Sequence, residues 1–188
     1  MTDETKDYLD SIEPILGRVP YAITLSDLTL PDQPLIYMNR QFFEMTGCDA
    51  NYLGRNCRFL QSDFDNEDSR AEIRRALSAG ERTQVVLQNR RMTGEAFYNM
   101  LYIQSLGPVG PVSNLAMGAQ FELAETEALT VLRDAKATKM WGIRTRSVLD
   151  HGLRIRLEQR RTVMESTIRV LKSWDVMHRI KTGTLLKG

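Results

Sequence analysis

Two hydrophobic periods divide the chain. Between Tyr21 and Leu123 apolar residues come in short runs separated by clusters of proline, glycine and polar residues, the texture of strands joined by turns. Tyr21-Ala22-Ile23-Thr24-Leu25 and Leu35-Ile36-Tyr37-Met38-Asn39 flank Pro31-Asp32-Gln33-Pro34 and predict an opening hairpin. Phe42, Phe43 and Met45 predict a short helix closed by Gly47, and the acidic run from Asp63 to Asp68 precedes a second helix that carries Ile73, Ala76 and Leu77 and ends at Gly80. That run lacks the glycine and terminal glutamate spacing of a calcium loop and reads as a solvated cap. Three further strands are predicted at Thr83 to Asn89, Ala96 to Leu106 and Leu115 to Leu123, the last two separated by Gly107-Pro108-Val109-Gly110-Pro111.

Outside this stretch the period is helical. Tyr8, Leu9, Ile12, Ile15 and Leu16 form one stripe behind acidic Asp3, Glu4 and Asp7, with Pro14 predicted to end or kink the helix near Glu13. A helix from Glu125 to about Met140 carries Leu129, Leu132 and Ala135 and is broken at Trp141-Gly142. Leu149, Leu153, Leu157, Met164, Ile168 and Leu171 then lie on one face of a long helix, or of two helices joined near Arg160-Arg161. Trp174, Met177 and Ile180 continue the stripe to a stop at Gly183. The pattern divides the chain into an N-terminal flanking helix over 1–20, a central α+β unit over 21–123 and a C-terminal helical extension over 124–188.

With 188 residues, 42% hydrophobic and 26% charged, the chain can bury a core without disulfides or a metal. Cys48 and Cys57 have no Cys/His cluster around them, which argues against zinc. No apolar run is long enough for a membrane span or a signal peptide, so a cytoplasmic protein with reduced thiols and no membrane partner is expected. The net charge of +1 hides a division: residues 1–127 hold 11 basic and 19 acidic side chains, about −8, and residues 128–188 hold 14 and 5, about +9. The two parts should attract one another, or the basic part should seek another anion.

The densest polar chemistry lies in the octet Gly54-Arg55-Asn56-Cys57-Arg58-Phe59-Leu60-Gln61. Asn56 and Gln61 offer donor and acceptor together, which suits a ring edge alternating carbonyl and N–H groups, and the arginines offer forks for phosphate. This combination points to a nucleotide-like ligand with an anionic tail. Cys57 is either a thiol held against that ligand, a nucleophile once its proton is removed, or an inert core cysteine.

The octet resembles the photoactive-cysteine motif of light-oxygen-voltage (LOV) domains, the blue-light receptors of the PAS superfamily. Arg74, 17 positions beyond Cys57, resembles the second phosphate-binding arginine of that family. Asn89 and Asn99 stand where the family has its pyrimidine-binding asparagines, and Gln120 stands where a glutamine faces flavin N5. The resemblance implies a five-stranded antiparallel PAS sheet with helices on one face and FMN held between. Asn56, Arg58, Gln61, Arg74, Asn89, Asn99 and Gln120 would bind the cofactor. It further implies that blue light drives a reversible bond from Cys57 sulfur to flavin C4a, and that N5 protonation reorients Gln120. The spacing from Gln61 to Arg74 leaves no room for the extra loop of FAD-binding relatives, which favours FMN. Ser62 replaces a common glycine and Ala116 a common bulky phenylalanine, so the dark recovery rate should differ.

No kinase, phosphate-loop or cyclase signature accompanies the tail, and roughly 60 residues are too few for most output enzymes, so no enzyme is expected. The whole resembles a bacterial short LOV protein, which implies a homodimer whose association could respond to light. The alternative is a light-regulated DNA-binding protein, in which Arg154, Arg156, Arg160 and Arg161 of a helix-turn-helix-like tail meet phosphates.

Overall fold

The computed structural model describes residues 2–138 and 151–181. Helix α1 (Asp3–Leu16) leads into strands β1 (Ala22–Asp27) and β2 (Leu35–Met38), then helix α2 (Arg40–Thr46) and two single 3-10 turns, Ala50–Tyr52 and Cys57–Leu60. Helix α3 (Glu67–Ser78), strands β3 (Arg82–Arg90), β4 (Ala96–Val109) and β5 (Val112–Leu123), and helices α4 (Glu125–Thr138) and α5 (His151–Lys181) complete the order. The strands form one antiparallel sheet in the order β2-β1-β5-β4-β3, so the last strand returns to the middle beside the first. The predicted break at Trp141-Gly142, Leu149 and the stop at Gly183 lie outside the described residues.

Strand period and register assign the two faces. Thr24 pairs with Gly118, Ser26 with Ala116, and Leu101 with Gln120, so these side chains share the face covered by α2, α3 and the 3-10 turns. Ile23, Leu25, Tyr102, Leu115, Met117 and Ala119 point to the other face, where they meet Tyr8, Ile12 and Leu16 of α1 and Met164, Ile168 and Leu171 of α5. Both faces of β5 are therefore covered, and Leu115 through Gln120 are buried without interruption.

Three asparagines tie the elements around the first face. Asn39 caps α2 by accepting from Phe42 N, accepts from Ile23 N at 2.8 Å, and donates to Tyr21 O at 2.9 Å. Asn66 exchanges two hydrogen bonds with the Gln88 backbone, at 2.8 and 2.9 Å, fixing the start of α3 against β3. Asn56 donates to Asp32 O at 2.6 Å and accepts from Arg58 N at 3.0 Å, which holds the Cys57 turn against the β1–β2 loop.

The structure departs from the sequence expectations in several places. Helix α1 runs through Pro14 to Leu16: the proline lies in the last turn, where the only lost bond is its own, and Gly17 N still donates to Glu13 O at 2.8 Å. Strands β4 and β5 extend to a two-residue turn at Gly110-Pro111, because register shifts around Gly107 absorb the breaker residues as bulges. Of the two readings of the C-terminal stripe, the single long helix is the one found: α5 runs 31 residues with no joint at Arg160-Arg161. Leu153, Leu157, Met164, Ile168 and Leu171 are buried as the stripe requires, but Met177 and Ile180 are exposed. Steps of three residues drift about 60° each around a helix of 3.6 residues per turn, so the row from Leu171 through Trp174 leaves the docked face.

Polar contacts hold α5 beside its apolar ones. Tyr21 Oη lies 2.6 Å from Thr167 Oγ1, Arg82 pairs with Glu165 at 2.8 Å, and Arg156 pairs with Glu127 of α4. Asp175 accepts from Gly110 N at 2.7 Å and pairs with Arg179 at 3.0 Å, fastening the far end of α5 to the β4–β5 turn.

Ser62 follows the Cys57 turn with φ of 49°, a left-handed conformation that a β-carbon disfavours. Ser62→Gly should raise unfolding free energy by about 0.5–1 kcal/mol, the relieved strain being partly offset by added unfolded-state entropy. Urea melts of the two proteins in the dark check this; a destabilised Ser62→Gly would contradict it.

Candidate functional site

The face of the sheet under α3 and the 3-10 turns encloses a cavity of about 260 Å³. The 3-10 turn places Cys57 in its wall, and alternation along β3, β4 and β5 brings in Asn89, Asn99 and Gln120. Asn56, Arg58, Gln61 and Arg74 also line it, so all eight residues singled out in the sequence meet around one space. Arg55 does not; its guanidinium stacks over the Tyr52 ring at 5.1 Å. Ala116 lines the cavity, as does Ile73 of α3 with Leu101 and Ile103 of β4.

Gln61 Oε1, Asn89 Oδ1, Asn99 Oδ1 and Gln120 Oε1 are buried and have no hydrogen-bond partner among the described residues. A buried acceptor left unpaired costs about 1–3 kcal/mol, and native proteins seldom leave several together. Gln120 is anchored from its other end, where Nε2 donates to Thr24 Oγ1 at 3.0 Å. The amides therefore present acceptors to the cavity, while Ile73, Leu77, Leu87, Leu101 and Ile103 give it apolar walls.

The guanidiniums gather toward exposed carboxylates. Arg58 pairs with Asp32, and Arg74 shares Glu67 with Arg70, at 2.7 and 2.9 Å. Hydrogen bonds from Arg74 and then Arg70 hold the Glu67 carboxyl below its usual range. Arg70 was missed in the sequence, although it precedes Arg74 by four residues and so shares its helical face. Thr24 was missed too; its signal is the period-two alternation that puts it between Ala22 and Ser26 on one side of β1.

The Cys57 thiol is pushed up to about 12, first by burial and then by the neighbouring Cys48 thiol. It packs in one apolar cluster with Phe42, Cys48 and Leu60. Among the described residues, no group of His, Cys, Asp and Glu could hold a metal ion. No described helix is long and apolar enough to cross a membrane.

A five-stranded antiparallel sheet of this order, with helices and a polar-lined cavity over one face, has the architecture of the PAS class. A PAS domain model matches residues 20–109. The crystal structure of the Rhodobacter sphaeroides LOV protein is 32% identical, with a TM-score of 0.59 over 90% of this chain and 97% of that one. The LOV domain of a blue-light activated histidine kinase from Erythrobacter litoralis is 32% identical, with a TM-score of 0.53 over 57% of this chain and 100% of that domain. Blue-light-activated histidine kinase 2 of the same organism is 33% identical over 113 residues, 60% of this chain and 33% of that protein. The chain thus spans a third of that relative's length. It belongs to the LOV family of blue-light-sensing PAS domains, whose chromophore is a flavin.

Because the folded thiol ionises near 12, raising pH through the usual thiol range leaves Cys57 protonated. In a Cys48→Ala background, alkylation by iodoacetamide in the dark should be slow at pH 8 and keep rising with pH well beyond the range where free cysteine levels off. A plateau at the free-cysteine value would contradict the desolvated thiol. The same raised value makes folding stability fall as pH rises from the usual thiol range toward about 12, where the unfolded thiol ionises and the folded one keeps its proton.

Proposed function

We propose that this chain is a blue-light photoreceptor that holds FMN in the cavity and passes its photochemistry through Gln120 to the helices on the far side of the sheet. The observation that carries the reading is the set of four buried, unpartnered amide oxygens facing one space with the Cys57 thiol in its wall. Asn89, Asn99 and Gln61 would meet the carbonyl and N–H groups of the ring edge and the ribityl hydroxyls, the amides turning to present donor or acceptor as each requires. Leu87, Leu101 and Ile103 would face the ring. Arg58 and Arg74, with Arg70, would exchange part of their carboxylate pairing for the phosphate. Asn56 serves the site by fixing the turn that carries Cys57, since both its polar side-chain atoms are engaged by backbone. Gln61 and α3 are joined by a short turn with no added loop, so a mononucleotide flavin suits the site better than a dinucleotide.

A bound flavin supplies blue-light absorption and an excited state that is basic at N5 and electrophilic at C4a. Cys57 keeps its proton in the dark because burial disfavours its thiolate, and it would be the residue that offers a thiol proton and sulfur to an excited flavin held beside it. With a neutral thiol as the reacting group, the site would need no catalytic base. Gln120 would lie beside N5 of a bound flavin and would answer a change of protonation there by turning its amide. Thr24 permits both orientations, because its hydroxyl accepts from Nε2 in one and can donate to Oε1 in the other. Phe121, the next residue, points to the opposite face, where the Tyr21 ring lies 5.1 Å away and the Arg160 guanidinium lies 5.1 Å above it. Tyr21 in turn bonds Thr167, so a shift of β5 reaches α5 through two contacts. The output of the segment is a change in dimerisation or partner binding, with no substrate turned over.

Absorption spectra in the dark, under blue light and during recovery test the reading. The wild type should show a three-peaked flavin band that bleaches and returns, and Cys57→Ala should keep the band without the bleach. Chromatography of the flavin released by denaturation should give FMN. Ala116→Phe, which adds bulk to the cavity wall, should change the recovery time several-fold. A colourless protein that also refuses added FMN would overturn the photoreceptor reading.

A further inference from the structure

One polar contact stands directly behind the cavity wall. Thr24 is 4% exposed and does not line the cavity, yet its Oγ1 accepts from Gln120 Nε2 at 3.0 Å. Gln120 Oε1, the other end of that amide, is buried with no partner among the described residues. Gly118 makes the contact possible. It is the cross-strand partner of Thr24 and lies two positions before Gln120, so the three share one face of the sheet. A β-carbon at 118 would stand 2.8 Å from Thr24 Oγ1 and 3.0 Å from Gln120 Nε2, so close that the hydrogen-bonded pair would have to shift. The amide nitrogen therefore rests over a glycine and is held by a hydroxyl on the neighbouring strand.

The two ends of the amide are not equivalent. Its –NH2 carries two donors, and a buried N–H is left without a partner more rarely than a carbonyl oxygen. We propose that Thr24 is a positioning residue that favours the forms of the flavin carrying hydrogen at N5, an inference that rests on the reading above of FMN beside Gln120. Toward a bare N5, which is an acceptor, Gln120 would present Nε2 and take a hydrogen bond from the Thr24 hydroxyl on Oε1. Toward an N5 that carries hydrogen, which is a donor, it would present Oε1 and rest Nε2 on Thr24, the arrangement found here. With valine at position 24 the first case leaves an oxygen orphaned and the second an –NH2. The second loss is the larger, so the hydroxyl matters most when N5 carries hydrogen.

The test is the midpoint potential of FMN bound to the full chain, measured in the dark with dithionite as reductant and a reference dye, in a Cys57→Ala background that removes the reactive thiol. Two-electron reduction places a hydrogen on N5, so the potential reports what the protein does to that atom. Thr24→Val should lower it by about 30 mV, a tenfold shift of the two-electron equilibrium. Thr24→Ser, which keeps the hydroxyl, should hold the value found with threonine. Gly118→Ala, which drives the amide off its seat, should lower the potential as well and covers the case in which Thr24→Val fails to fold. With Cys57 in place, Thr24→Val should recover in the dark several-fold faster than the wild type. A potential that is the same with threonine and valine, FMN being bound in both, overturns the inference and leaves the photoreceptor standing. A drop that Thr24→Ser shares in full assigns the effect to packing and also overturns it. A protein that binds no FMN overturns the reading on which the inference rests.

Discussion

Burying an amide oxygen without a partner is costly, and among the described residues four such oxygens surround one cavity. Gln61 comes from a 3-10 turn, Asn89, Asn99 and Gln120 from three adjacent strands, so the cost is spread over the elements that must be held in register. The asparagines beside them show the contrast. Asn39, Asn56 and Asn66 satisfy their side chains on backbone and so lock the helices to the sheet. One set of amides builds the container, and the other set lines it with unpaired oxygens.

The thiol follows the same logic. A desolvated Cys57 with a raised ionisation range is a poor nucleophile in the dark and a stable proton store, which suits chemistry started by light better than chemistry started by a base. Strand β5 then links the two sides of the domain through successive residues. Gln120 faces the cavity and Phe121 faces the helices, so a movement that one side requires is felt on the other.

Much of the site was legible because it is local or periodic. Asn56, Cys57, Arg58 and Gln61 belong to one capped 3-10 turn, and Asn89, Asn99 and Gln120 each fall on the same phase of a period-two strand. The opening hairpin and the helix after Asn39 were legible from turn chemistry. Other features depend on distant partners. Pro14 reads as a breaker until its place in the last turn is known, and Gly107-Pro108 reads as a loop until bulges are seen to carry the strand through it. Met177 and Ile180 extend an apolar stripe in one dimension, yet three-residue steps rotate them off the docked face. Arg70 and Thr24 show their importance only when the cavity and the Gln120 amide are in view.

The central claim is that the unpartnered amides exist for a flavin. Its most direct measurement is the dissociation constant of FMN from the refolded apoprotein, by fluorescence titration, for wild type and Asn99→Leu. Leucine removes both the orphaned acceptor and the ligand's partner at similar size. The account predicts FMN binding weakened by about tenfold or more, the loss of one buried hydrogen bond, with an apoprotein no less stable than the wild type. An unchanged dissociation constant would show that Asn99 does not face the ligand, and the cavity would need another explanation.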